Sequence, residues 1–278
     1  MEEKLSILCV AGPTASGKSS RAVELAKERD GEVISVDSRQ VYRTLDIGTE
    51  KMSAEEMHGI PHHLIDILEP EASYSAGDFV TDAKRLIEEI RGRGKVPILA
   101  GGTHFYFDAL LYGIPEGMPV NEKLRETLET KSNEEIFEEI SGKDPRRANE
   151  LDPKNRRRLV RALEIIRARG LVPERSTECR YSVEWTMLLP ERTELREKIT
   201  RRLEEALHRG LVDEVQTARE RLGDARLNEL GLEYRIVGEY LRSERSKESL
   251  LPALAAKLFQ YARRQEAWLR KLQGKACG

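Results

Sequence analysis

The sequence predicts an α/β fold: a parallel sheet flanked by helices, with a small all-helical insert and a helical C-terminal part. Three observations carry this. In the first third of the chain, short β-branched runs alternate with stretches of helical spacing, the pattern of a parallel sheet covered on both faces. From about residue 119 the pattern turns helical and holds no strand until Trp185. After one last strand the spacing is helical again, with Leu195, Ile199, Leu203 and Leu207 each four apart. The expected layout is a core of residues 1–118 and 185–278 interrupted by a helical insert of residues 119–184.

Leu5 to Val10 reads as a buried strand that runs into a glycine-containing loop and then a helix with Ala22, Leu25 and Ala26 on one face. Val33 to Val36 is a second strand, ending at Asp37-Ser38, and Leu64 to Leu68 is a candidate third. Ser75 caps a helix with Asp78 at its third position, and Phe79, Ala83, Leu86 and Ile90 follow at helical spacing. Val96 to Ala100 is a further strand, closed by Gly101-Gly102-Thr103. In the insert, Asp152 caps and Pro153 opens a helix with Leu159, Leu163 and Ile166 on one side. Trp185 to Leu189 supplies the last strand.

A chain of 278 residues suits one large domain, or one domain with an appendage, and buries about three quarters of its unfolded surface. No apolar run reaches the length of a membrane span, so no membrane partner is expected. The N-terminal apolar run is preceded by acids and interrupted by the loop, unlike a signal peptide. Aromatic residues make up 5% of the chain, too few for a wide base-stacking platform. Three scattered cysteines (Cys9, Cys179, Cys277) exclude a disulfide framework and a cysteine zinc site, and suit a reducing cytoplasm. A monomer is expected. The net charge of −2 hides an asymmetry: residues 1–150 carry 19 Lys and Arg against 29 Asp and Glu, whereas residues 151–278 carry 28 against 20. The second half is thereby suited to an anionic partner, or else simply has a basic solvated face.

Gly12-Pro13-Thr14-Ala15-Ser16-Gly17-Lys18-Ser19 fits the phosphate-loop pattern G-x-x-x-x-G-K-S/T, between a strand and a helix as the mechanism requires. Its backbone N–H groups converge on phosphate oxygens, the helix N-terminus adds partial positive charge, Lys18 supplies a point charge, and the Ser19 hydroxyl can hold Mg²⁺. The fold class is therefore P-loop NTPase-like. The loop specifies a polyphosphate and not a reaction. An ordinary ATPase places an acidic metal ligand at another strand end, but the Val96 strand ends in Gly-Gly-Thr. Asp37 is a strand-end carboxylate beside Ser38, Arg39 and Gln40; it can assist a metal, act as a general base, or cap a turn.

The segments GPTASGKS, ISVDSRQVYRTLDIGTEK, PHHLIDI, YSAGDF, GGTHFYFDALLYG, NRRRLVRALE, GLEYR and RRQEAWLRK occur in this order. Together they resemble the tRNA dimethylallyltransferases (isopentenyltransferases) of bacterial type, from about Ile7 to Lys271. The resemblance implies that the loop holds the diphosphate of dimethylallyl diphosphate, with Mg²⁺ as cofactor. It implies that N6 of the adenosine 3′ of the anticodon attacks the allylic carbon, giving N6-isopentenyladenosine and diphosphate. The tRNA partner binds through its anticodon stem-loop, and the base is extruded into the site. At matching positions Asp37 is the base, Thr103 contacts substrate, and Arg235 in GLEYR partners the diphosphate. Asp37, Ser38, Arg39, Gln40, Thr103 and Arg125 contact the tRNA. The run Arg156, Arg157, Arg158 and Arg161 grips the stem backbone, with Arg263, Arg264, Arg270 and Lys271 as further candidates. The chain has Ser19 where the family often has threonine, spaces GLEYR differently, and stops soon after WLRK, which implies fewer tRNA contacts.

Other residues read more plainly. His58, His62 and His63 cluster, but Pro61 interrupts them and turn packing is the expected role. His104 either reaches the site or caps the next helix. Tyr261 and Trp268 are expected as core anchors. The competing functions are a phosphate-loop kinase using ATP, a prenyltransferase acting on free AMP or ADP, and a non-catalytic RNA-binding module.

Overall fold

The structure, a computed structural model, describes residues 4–114, 121–174 and 178–273. The chain divides into two compact units, Met1–Leu111 with Glu178–Gly278, and Tyr112–Thr177.

The first unit opens with β1 (Ser6–Ala11), α1 (Lys18–Arg29), β2 (Gly31–Val36), β3 (His62–His63), α2 (Ala76–Gly92), β4 (Val96–Gly101) and α3 (His104–Tyr112). The second unit holds α4 (Glu122–Glu129), α5 (Asn133–Lys143), α6 (Pro145–Asn149) and α7 (Arg156–Arg169). The chain then returns to the first unit with β5 (Ser182–Met187), α8 (Arg192–His208), α9 (Leu211–Glu229), α10 (Leu232–Leu241) and α11 (Lys247–Gln273).

The five described strands form one parallel sheet in the order β3-β2-β4-β1-β5. Parallel neighbours need crossovers, and α1 and α2 supply them while covering the sheet. Leu8, Val10, Val33 and Ile98 pack with Ala22, Leu25 and Ala26 of α1. Their alternating neighbours Ile7, Cys9, Ile34 and Leu99 are buried too, so the central strands are apolar on both faces. Burial pushes the Cys9 thiol pKa up, as befits a small core hydrophobe. Ser75 and Asp78 form the expected capping box of α2. Cys179 is disulfide-bonded, so it is not the lone thiol that the spacing suggested; Cys277 lies outside the described residues.

Three elements differ from the sequence reading. Leu64 to Leu68 is no strand, because Leu64 (φ 62°) and Asp66 (φ 54°) are left-handed; the short strand lies just before, at His62–His63. The last strand starts at Ser182, and Arg180 N–H already donates to the Leu111 carbonyl at 2.9 Å. That tie explains why the compact insert ends near residue 177 rather than 184. Finally, α7 is capped by Asn155, whose side chain accepts from Arg158 N–H. Asp152 instead closes its own turn on Lys154 N–H at 2.9 Å.

The helical unit has its own core, with Leu128, Ile136, Ile140, Leu159, Leu163 and Ile166 buried together. Two carboxylates brace it. Glu164, 3% exposed, takes a fork from Arg125 (2.7 and 3.1 Å) and a bond from Arg161 (3.0 Å). Glu139 takes a fork from Arg167 (2.9 and 2.8 Å) and bonds from Lys131 and Lys143. These hydrogen bonds, Arg167 foremost, hold the Glu139 pKa down from its ordinary 4.5 to about 2. A depressed carboxylate pKa contributes stability that is present above the unfolded value and lost as the pH falls through the folded one. Glu139→Gln is therefore expected to cost the unit about 1–3 kcal/mol at neutral pH. It should also flatten the unit's loss of stability between pH 4.5 and about 2. Hydrogen exchange of the α5 and α7 amides, at neutral pH and across that range, measures both.

Candidate active site

The loop between β1 and α1 is shaped by two glycines. Gly17 caps α1 in the left-handed region at φ 83°, which turns the first helical N–H groups outward. Gly12 has no room for a side chain, since a Cβ there would meet Ser16 Oγ and, at 2.8 Å, the Leu188 carbonyl. Ser16 Oγ is buried with no hydrogen-bond partner among the described residues, a donor that a phosphate oxygen would satisfy. Lys18 Nζ donates to the Pro13 carbonyl at 3.3 Å across the loop. Burial lowers the Lys18 pKa, while the carboxylates of Glu50 and Asp37 pull it back up.

The ends of β2 and β4 meet beside this loop. Thr103 N–H donates to the Val36 carbonyl (3.1 Å), and Thr103 Oγ1 accepts from Ser38 N–H (3.2 Å). Asp37 Oδ1 caps its own turn, accepting from Arg39 N–H (2.8 Å) and Gln40 N–H (3.4 Å). Among the described residues no hydrogen bond engages Asp37 Oδ2 or the side chains of Ser38 and Arg39. Gln40 is committed inward: its Oε1 accepts from Ser35 Oγ, and its Nε2 donates to the carbonyls of Thr49 and Glu50. The charge of Asp37 is felt at Lys18, Glu233, Tyr106 and Tyr261, which places it centrally in the site.

The C-terminal helices supply groups that sequence reasoning missed. Arg202 of α8 donates to Thr14 Oγ1 and pairs with Glu50 (2.5 Å) and Glu233 (2.9 Å). Burial pushes the Glu233 pKa up, and Arg202 opposes it. Glu214 of α9 accepts from three successive N–H groups, those of Asp46, Ile47 and Gly48, at 2.7–2.9 Å, and from Tyr234 OH at 2.7 Å. That anchor sets the segment leading to Glu50. Gln265 of α11, 3% exposed, accepts from Thr14 N–H and donates to the Gly102 carbonyl. A pocket over the loop is lined by Ala15, Gly17, Glu50, Lys198, Arg201 and Arg202.

Several expected residues sit elsewhere. Arg235 is exposed on α10, and the guanidinium that reaches the loop is Arg202. In the helical unit Arg125 and Arg161 hold Glu164, and Arg156 donates to the carbonyls of Leu128 and Lys131 and to Asn133. Arg157 and Arg158 are exposed. On α11, Arg263 and Arg264 are exposed, Arg270 pairs with Glu266, and the Trp268 ring lies 4.7 Å from that of His104. His63 holds the buried Glu32 at 2.7 Å and His62 Nδ1 faces the Ile60 carbonyl, at the end of the sheet away from the loop. No group of metal-binding side chains is present among the described residues.

Fold and loop define an α/β protein with a phosphate loop beside a strand-end aspartate. A family model described as IPP transferase matches residues 40–272. The chain is 41% identical to the tRNA dimethylallyltransferase of Thermomicrobium roseum, over 98% of this chain and 86% of that one. It is similar in structure to a full-length tRNA isopentenylpyrophosphate transferase from Bacillus halodurans, with TM-score 0.72 and 36% identity, covering 96% of this chain and 87% of that one. A eukaryotic dimethylallyltransferase acting on tRNA superposes with TM-score 0.86 at 28% identity, over 98% of this chain and 72% of that one. The chain belongs to the IPP transferase family.

Arg202→Ala is expected to weaken binding of inorganic diphosphate about 10–100-fold, the worth of a charge-assisted hydrogen bond in a half-buried site. Arg235→Ala should leave it within about twofold. Titration calorimetry of the two variants separates the two arginines.

Proposed function

We propose that the protein transfers a dimethylallyl group from dimethylallyl diphosphate to N6 of the adenosine 3′ of the anticodon in tRNA. The observation that carries the reading is the meeting of a complete phosphate loop with the Asp37 turn and Thr103 at one end of the sheet. The N6 lone pair forms the new C–N bond, and the allylic C–O bond breaks with its electrons leaving on the diphosphate. The N6 proton goes to Asp37, because an aryl amine is too weak a nucleophile to keep it as the bond forms. The loop amides, Lys18 and Arg202 stabilise the charge gained by the diphosphate. Thr103 holds the Asp37 turn through Ser38 N–H, while Ser38 and Arg39 face the extruded base.

Magnesium fits the donor set. Lys18 and Arg202 stand against the carboxylates of Asp37, Glu50 and Glu233, so a diphosphate arriving here needs a further cation. Ser19, in the first turn of α1, would hold Mg²⁺ together with diphosphate oxygens and water. When bound it would neutralise the leaving diphosphate. The exposed pair Arg157 and Arg158 suits a tRNA backbone, and a cytoplasmic monomer suits both substrates.

The reading is tested by incubation with labelled dimethylallyl diphosphate, Mg²⁺ and unmodified tRNA, with AMP and ATP alongside. Label on the tRNA adenosine alone supports it. Label on a free nucleotide moves the acceptor, and no transfer to anything overturns it. Asp37→Ala should lower turnover by about 10²–10⁴ with folding intact; near-wild-type turnover would remove Asp37 as the base. Reversing Arg157 and Arg158 to Glu should weaken tRNA binding and flatten its salt dependence, measured by filter binding at several salt concentrations. An unchanged slope would place the backbone contacts on another surface.

A further inference from the structure

We propose that Gln265 is a positioning residue: it locks the phosphate loop to the end of β4, so that diphosphate affinity depends on a side chain from the C-terminal helix. The inference rests on the loop being the diphosphate site. Gln265 is 3% exposed, and both ends of its carboxamide are used. Oε1 accepts from Thr14 N–H at 3.0 Å, and Nε2 donates to the Gly102 carbonyl at 2.7 Å. Bridging an N–H of one loop to a C=O of another takes a donor and an acceptor on one group, which an amide side chain offers without charge. The fit is tight, since a Cβ on Gly102 would lie 2.6 Å from Nε2.

The bridge reaches further than its two bonds. Fixing the Thr14 peptide also fixes its hydroxyl, which donates to Glu50 at 3.3 Å and accepts from Arg202. Gln265 thereby sets the position of the guanidinium that faces the pocket over the loop. Without it, the buried Thr14 N–H loses its partner and the Gly102 carbonyl keeps only the His104 N–H, so the loop must shift to recover the lost bonds.

Gln265→Met keeps the length of the side chain and deletes both bonds. Gln265→Glu keeps an acceptor for Thr14 and sets a carboxylate oxygen against the Gly102 carbonyl. Leu258→Ala, elsewhere in the buried face of α11, measures the effect of loosening that helix alone. The readouts are calorimetric affinity for inorganic diphosphate with Mg²⁺, KM and kcat with dimethylallyl diphosphate, and Tm. Gln265→Met is expected to weaken diphosphate binding and raise KM about tenfold, or about 1.4 kcal/mol. Gln265→Glu should do at least as much, whereas Leu258→Ala should lower Tm and leave diphosphate affinity within about twofold. If Gln265→Met fails to fold, Gln265→Glu decides. The inference is overturned if the folded Gln265 variants bind diphosphate like the wild type, or if Leu258→Ala weakens binding as much. A wild type that binds diphosphate but prenylates no tRNA refutes the proposed reaction, and the binding constants alone then decide the role of Gln265. A wild type that binds no diphosphate refutes both.

Discussion

At Gly101 a Cβ would run into the Val36 carbonyl, and at Gly102 it would crowd Gln265 Nε2 and come within 3.3 Å of the Gly12 carbonyl. The end of β4 is therefore pressed against the end of β2 on one side and the phosphate loop on the other. Any side chain at these two positions would push the three apart. Because they touch, Thr103 can bond both Val36 and Ser38, and the Asp37 turn is held beside Lys18. An acidic residue at this strand end, as in an ordinary ATPase, would take up the space that the close approach needs. The departure from the ATPase pattern and the placement of Asp37 thus have one steric cause.

The same closeness creates an electrostatic problem that the C-terminal helices resolve. Asp37, Glu50 and Glu233 crowd a region with Lys18, whose burial already disfavours its charge. Arg202 answers by pairing with two of these carboxylates and reaching Thr14. Glu50 can serve because its segment is anchored from α9, where Glu214 gathers three backbone N–H groups. Tyr234 completes that anchor: its ring lies where a Cβ on Gly48 would be, 2.8 Å away, and its hydroxyl donates to Glu214. A chain segment far from the loop in sequence thereby sets the charge at the loop.

How much of this was legible in the sequence follows from the range of each interaction. The phosphate loop, the α2 capping box and the strand ending at Asp37 are local patterns, written in a few consecutive residues and found where expected. Leu64 to Leu68 looked like a strand because apolar content was all that periodicity could weigh, and left-handed backbone leaves little trace in it. Arg202, Glu214 and Gln265 were invisible for a different reason. Each sits in a helix of charged and polar residues, and each gains its role from a partner more than 160 residues away. Gln265 did carry one signal: it falls at the helical spacing of the apolar stripe Leu254, Leu258, Ala262 and Leu269, where an amide is out of place unless something pairs with it.

The basic half of the chain shows where counting charge misleads. The excess of Lys and Arg after residue 150 suggested a surface for an anionic partner. Much of the run from Arg156 to Arg161 is spent inside the helical unit, however. Arg161 joins Arg125 on the buried Glu164, and Arg156 satisfies carbonyls at the end of α4. A guanidinium engaged this way cannot turn to a phosphate without giving up its hydrogen bonds to the buried Glu164 or to backbone carbonyls, which costs about 1–3 kcal/mol. A surface phosphate contact, screened by salt, returns less than that. Arg157 and Arg158 have no such debt. The charge available to an anionic partner is what remains after the internal pairs are subtracted, and on α7 that remainder is Arg157 and Arg158 in the first turn and Arg169 in the last.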